Sequence, residues 1–202
     1  EISVEEKATG EIFAGAGTGT SGSSVAFGIK ENNFLGKGIK LNTNATLSDS
    51  SFEFSFTSIN PNFRNSDRSL KTSFENTSRN FMTRYGYKST KTGFTVGTSF
   101  EQYRNVFFSP EISTYHETMK TSSTASTSRK KQEGDYIEST FNYGLTLNQL
   151  NQNFQPTDGY KSTFYQSLPV YSDDLSIVNA YEFSKYYKPN TSTKFVKIWV
   201  NW

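Results

Sequence analysis

From Ser24 onward the chain alternates between apolar and polar positions. Val25, Phe27 and Ile29 interleave with Ala26, Gly28 and Lys30, until Glu31-Asn32-Asn33-Phe34-Leu35-Gly36-Lys37-Gly38 breaks the pattern with the asparagines and glycines of a turn. Alternation resumes with Ile39, Leu41, Thr43, Ala45 and Leu47 against Lys40, Asn42, Asn44 and Thr46. After Ser48-Asp49-Ser50, a third run sets Phe52, Phe54 and Phe56 against Glu53, Ser55 and Thr57, and Asn60-Pro61-Asn62 ends it. A period of two describes a strand with two unlike faces, so this stretch predicts three antiparallel strands.

The same reading extends in both directions. Before it, the chain is glycine-rich from Thr9, with Ile12, Phe13, Ala14 and Ala16 set among Gly10, Gly15, Gly17, Gly19 and Gly22. Glycine leaves nothing to pack, so a strand there is weakly held. It suits either a bend at a barrel corner or a functional edge. Beyond it, strands are predicted at 69–76, 94–100, 104–118 (with Pro110 at a bulge or a sheet rim), 137–147, 161–168, 175–187 and 195–202. Polar loops are predicted at about 77–90 and 117–135, a short turn at 101–104, and a Pro156-to-Gly159 turn before Tyr160. The total is about eleven strands. On this reading the longest connections follow odd-numbered strands; in an outer-membrane barrel, whose long loops lie outside, the first strand would leave the periplasm and run outward.

Composition changes what those strands are for. Only 33% of the residues are hydrophobic, yet 16% are aromatic, with 18 phenylalanines and 12 tyrosines. Ser, Thr, Asn, Lys and Glu occupy the second face in strand after strand. A membrane β-barrel with a wet interior and aromatic girdles has this mixture. A hydrophilic soluble barrel is the other reading of the composition. The fold class expected is all-β: an antiparallel transmembrane β-barrel, present in part. Ile39, Leu41, Thr43, Ala45, Leu47, Phe52, Phe54 and Phe56 then face lipid, while Lys40, Asn42, Glu53 and Ser55 face the interior.

Little chemistry is encoded. There is no cysteine, so disulfides and thiolate metal sites are excluded, and the single histidine, His116, has no partner in the sequence pattern. The net charge of +2 gives no reason to expect nucleic acid. No carboxylate pair converges at a turn, and Glu53 and Glu138 sit on strand faces that suit a wet interior. Gly15-Ala16-Gly17-Thr18-Gly19 lacks the Gly-Lys-Ser/Thr and the helix of a phosphate loop. No enzyme and no cofactor is expected. In 121–128, seven Ser or Thr surround Ala125, and Arg129-Lys130-Lys131 follow. This run predicts a solvated loop, with contact to anionic lipid headgroups as the sharper alternative.

Several short motifs, in order, carry a resemblance. Val4-Glu5-Glu6-Lys7-Ala8-Thr9-Gly10, the Glu31-to-Gly38 turn, Asn60-Pro61-Asn62-Phe63, Phe141-Asn142-Tyr143-Gly144 and Pro156-Thr157-Asp158-Gly159 together resemble the BamA family of outer-membrane β-barrel assembly factors, within the Omp85 superfamily. The resemblance spans nearly the whole chain. It implies that residues 1–8 end a periplasmic POTRA domain and that 9–202 form the first part of a barrel in the bacterial outer membrane. The sixth-loop motif and closing strand would lie beyond Trp202. It implies as partners unfolded outer-membrane β-barrel substrates, outer-membrane lipids, and accessory assembly lipoproteins that bind POTRA domains outside this chain. It further implies a lateral gate at the first strand, made of Glu11, Ile12, Phe13, Ala14, Gly15, Ala16, Gly17, Thr18 and Gly19. The related TamA and two-partner-secretion transporters fit these motifs too, and a passive porin-like channel fits the strand pattern alone.

Overall fold

A computed structural model describes residues 8–19, 22–172, 175–187 and 194–201. Eleven strands form one sheet in chain order: β1 (Gly10–Gly19), β2 (Gly22–Phe34), β3 (Ile39–Ser48), β4 (Ser51–Asn60), β5 (Ser69–Phe81), β6 (Tyr87–Tyr103), β7 (Val106–Thr121), β8 (Gly134–Asn148), β9 (Gly159–Tyr171), β10 (Val178–Tyr187) and β11 (Lys194–Asn201). Neighbouring strands from β1 to β5 and from β8 to β11 pair antiparallel. Residues 1–7 of the predicted preceding domain, and Trp202, lie outside the described residues.

Register puts the two predicted sets of residues on separate sides of the first strands. Leu41, Thr43, Ala45 and Leu47 stand opposite Ser58, Phe56, Phe54 and Phe52, and β2 adds Ile29, Phe27 and Val25 to the same side. Directly opposed residues of an antiparallel pair project from one face. The other side carries Asn42, Asn44 and Thr46 opposite Thr57, Ser55 and Glu53, with Arg79 Nη2 3.5 Å from the Glu53 carboxylate.

Burial is inverted relative to a protein folded in water. Among the described residues the buried hydrophobic side chains are Met119 and Ala125, whereas Thr95, Ser113, Asn142 and Ser184 are buried polar ones. Ile12, Val25, Phe52, Phe94, Ile112 and Ile137 are exposed by 40% or more, and many other large apolar residues join them. Apolar area gains roughly 25 cal/mol per Å² on leaving water, so a sheet built this way is stable only where something apolar covers that face.

The chain divides into two compact units. One comprises the residues up to Pro61 with Leu70–Thr95 and Thr114–Ile137; the other comprises Asn62–Ser69, Val96–Ser113 and the residues from Glu138 onward. In the first, Phe81 meets Tyr85 and Tyr87 at ring-centroid distances of 5.8 and 5.5 Å, beside the connection that follows β5. In the second, Phe100, Phe108, Tyr143 and Phe164 touch in succession at 5.8 to 6.2 Å, toward the ends of their strands that meet the turns after β6 and β8. Such rows are the girdles that flank the apolar band of a membrane barrel.

Three expectations fail. Residues 77–90 are not a loop, because β5 runs to Phe81 and β6 starts at Tyr87, leaving a helical turn at Met82–Tyr85 and Gly86 between them. Both faces of those strand ends are polar, so no period-two signal exists. The pairing is carried by the ladder and by bonds such as Asn76 Nδ2 to Thr92 Oγ1 at 2.8 Å. The turn predicted at 101–104 lies at 104–105, where Asn105 takes φ 64°. These shifts remove the loop-length argument for orientation. Connections after odd strands include 49–50, 82–86 and 122–133, and those after even strands include 35–38, 61–68, 104–105 and 149–158. Each set holds short and long members. Pro110, predicted at a bulge or a sheet rim, is the fifth residue of β7.

The Ser/Thr run is also more ordered than a solvated loop. Ser126 caps a helical turn at Thr127–Lys130 by accepting the Arg129 N–H. Gly86 takes φ 72°, its carbonyl accepts the Ser122 N–H at 2.8 Å, and Ala125 packs so close that a Cβ on Gly86 would lie 2.5 Å from the Ala125 nitrogen. Arg129 lies over the Tyr87 ring at 4.5 Å and Lys130 Nζ donates to the Ser123 carbonyl at 2.8 Å, so two of the three basic residues offered to lipid are engaged within the protein.

Candidate functional site: the first strand

The nine predicted site residues, Glu11 to Gly19, all fall in β1. That strand is first in the sheet order, and among the described residues it pairs with β2 alone. Every residue of it is exposed. Its second edge therefore presents backbone N–H and C=O groups, the template to which another strand can be added.

The two faces of β1 differ. Ile12, Ala14, Ala16 and Thr18 stand opposite Ile29, Phe27, Val25 and Ser23, continuing the apolar side of β2 and β3. Phe13, Gly15, Gly17 and Gly19 stand opposite Gly28, Ala26, Ser24 and Gly22 on the polar side. No atom lies within 4 Å of where a Cβ on Gly15, Gly17 or Gly19 would sit, so these glycines are not crowded into existence by a neighbour. They omit the cross-strand side-chain pairs that contribute roughly 0.2–1 kcal/mol each in an ordinary sheet.

The opening of β1 is held differently. The Thr9 hydroxyl donates to the Glu31 carboxylate, which also accepts the Asn33 N–H at 2.7 Å. The Thr9 carbonyl accepts from both the backbone and the side-chain nitrogens of Asn32, at 3.2 and 3.1 Å. Glu31 lies where the β2–β3 register shifts, a bulge that turns its carboxylate back toward β1. The Phe13 ring tip occupies the space above buried Gly28.

At the other end a cavity of about 840 Å³ lies among residues of the β1–β2, β3–β4 and β5–β6 tips, including Thr18, Ser23, Asp49, Asn80 and Tyr85. The Asp49 carboxylate accepts the Ser23 N–H at 3.1 Å and closes against Gly22.

Sequence reasoning found the glycine strand and missed how its start is tied down. Gly28, a lone glycine inside an alternating run, was the available signal, since an interior strand glycine marks a close approach. His116, predicted without a partner, lies 3.8 Å from Asp135, which also accepts from Thr118 Oγ1. Among the described residues no three His, Asp, Glu or Cys side chains converge as a metal site.

An antiparallel sheet that buries polar side chains, exposes its apolar face and flanks it with aromatic rows defines a class: the transmembrane β-barrel, which spans with strands of about ten residues. The Omp85 superfamily domain matches residues 33–201, and the chain belongs to that superfamily. Its fold resembles the crystal structure of BamA from Haemophilus ducreyi lacking POTRA domains 1–3, with a TM-score of 0.63 and 23% sequence identity over 93% of this chain. The chain spans 39% of the length of that crystallised chain.

Proposed function

We propose that this chain supplies the first strands of a bacterial outer-membrane barrel that folds other β-barrel proteins and inserts them into the membrane, with β1 as the strand on which they are built. The observation that carries this reading is the chemistry of β1: the first strand of the sheet order, whose glycines omit side-chain pairs. Recognition by β-augmentation runs through main-chain hydrogen bonds, so it accepts many sequences and requires no catalytic side chain or cofactor. Ala14 and Ala16 leave room beside that edge for varied partners.

In this reading residues 1–8 end a periplasmic POTRA domain, residues 9–202 begin the barrel, and β1 runs outward from the periplasm. Beyond this chain, further POTRA domains recruit accessory lipoproteins, and a closing strand meets β1 at a seam that opens sideways toward lipid. Superfamily membership supports the membrane setting, and the glycines of β1, which omit cross-strand side-chain pairs, support a weakly held seam.

Strand trapping tests the reading. In the full-length protein, single cysteines at Ala14 or Ala16 are expected to capture a stalled barrel precursor through cysteines in its terminal strand, whereas a cysteine at Thr43, two strands away, is not. Equal capture at Thr43 and Ala16 would refute strand addition at β1. A passive channel or a transporter of the same superfamily would give no barrel-precursor adduct at either position.

A further inference from the structure

We infer that Phe13, seated over Gly28, fixes the register of β1 on β2 and so sets which backbone groups β1 offers along its other edge. The inference deepens the strand-templating reading and rests on it. A template must hold its own position while its partner changes, and the sequence of β1 is poorly suited to that. Ala14-Gly15-Ala16-Gly17-Thr18-Gly19 is nearly self-similar under a shift of two residues, which keeps small side chains on one face and glycines on the other. A backbone ladder alone does not distinguish such registers, and glycine-rich strands are where slippage is expected.

Phe13 breaks the degeneracy. Its face of β2 offers Ser24, Ala26, Gly28 and Lys30 within the strand, with Gly22 at the hairpin end, and of those four Gly28 alone has no Cβ. A Cβ built there would fall on the Phe13 ring carbons, with Asn44 Oδ1 2.9 Å away on the far side. The ring thus fills a notch that exists at one position. Sliding β1 by two residues, so that Gly15 faces Gly28 and Ala16 faces Phe27, moves Phe13 onto Lys30 and empties the notch. A slide the other way is blocked, because Gly19 already pairs with Gly22 at the hairpin. The Thr9 bonds to Glu31 and Asn32 agree with this register, but they are exposed and lie at the strand's end.

The device recurs in the same unit. A Cβ on Gly93 of β6 would lie 2.5 Å from the Tyr115 ring of β7, and Lys91 Nζ sits over that ring at 4.3 Å. There the flanking residues are large and varied, so register has other determinants. In β1 the face that carries the ring otherwise holds Glu11, opposite Lys30 at the start of the strand, and three glycines.

The test reads register directly, without any substrate, so it stands or fails separately from strand trapping. In the full-length protein in lipid bilayers, cysteines at Ala16 and Val25 report the observed register, and cysteines at Ala16 and Phe27 report the slipped one. A short thiol cross-linker is applied to molecules that have reached the heat-modifiable folded form. With Phe13 present, the Ala16–Val25 pair is expected to dominate by tenfold or more. Phe13→Ala should raise the slipped product severalfold, Gly28→Ala should do the same by displacing the ring, and Phe13→Tyr should restore the original ratio. An unchanged ratio in both Phe13→Ala and Gly28→Ala, or a change that Phe13→Tyr fails to reverse, would overturn the inference.

Discussion

A single residue's face decides its cost in this protein more than its chemistry does. Ala45 and Asn44 are neighbours in β3, yet Ala45 is paired with Phe54 and Phe27 among apolar side chains, while Asn44 is paired with Ser55 and Gly28 among polar ones. Ala45→Arg should cost about 2–4 kcal/mol if it falls near the bilayer midplane, and Asn44→Arg well under about 1 kcal/mol. A denaturant titration of the full-length barrel in bilayers checks both, and similar costs would mean that the faces are misassigned. Ala45 serves better than Leu41, which stands opposite Glu31 and Ser58 near the strand's end. These faces were legible in the sequence because alternation is strict there. The contact of Phe13 with Gly28 was not, because pairing across strands is set by register, which alternation leaves undetermined.

Among the elements, legibility tracked apolarity. Strands β2 to β4 were read closely, since Val, Ile, Leu and Phe mark one face. The far ends of β5 and β6 were read as loop because Ser, Thr and Asn occupy both faces there, and such strands persist through their ladder and side-chain hydrogen bonds. The same blindness hid the connection from β7 to β8. Just before β8, the Glu133 carboxylate accepts the Thr121 hydroxyl and N–H at 2.7 and 3.3 Å, and these bonds hold its carboxyl below the usual carboxylate range. A lowered folded value stabilises the contact at pH above the unfolded value and loses that contribution as pH falls through the folded one. Protection of the Thr121 amide from hydrogen exchange, corrected for intrinsic rate, should therefore fall on acidification. Glu133→Gln should give low protection at every pH; a protection factor indifferent to both changes would contradict the account.

At the scale of the whole molecule, the account places function at the end of the sheet and assigns it to backbone. Eleven strands follow one another in order, and β1 stands at one end with a side-chain-poor edge. The sequence showed where that strand lies, because glycine at alternate positions is visible without a structure. Its purpose was not legible from the glycines, which suit a bent strand equally well; the structure adds that no neighbour crowds Gly15, Gly17 or Gly19. The most direct test locks the edge. In the full-length protein, a cysteine at Ala14 or Ala16 is tethered to one in the barrel's closing strand, and assembly of other barrels is measured before and after reduction. The account predicts that assembly stops in the tethered form and returns on reduction. Normal assembly by the tethered protein would contradict it and leave these glycines as a bend.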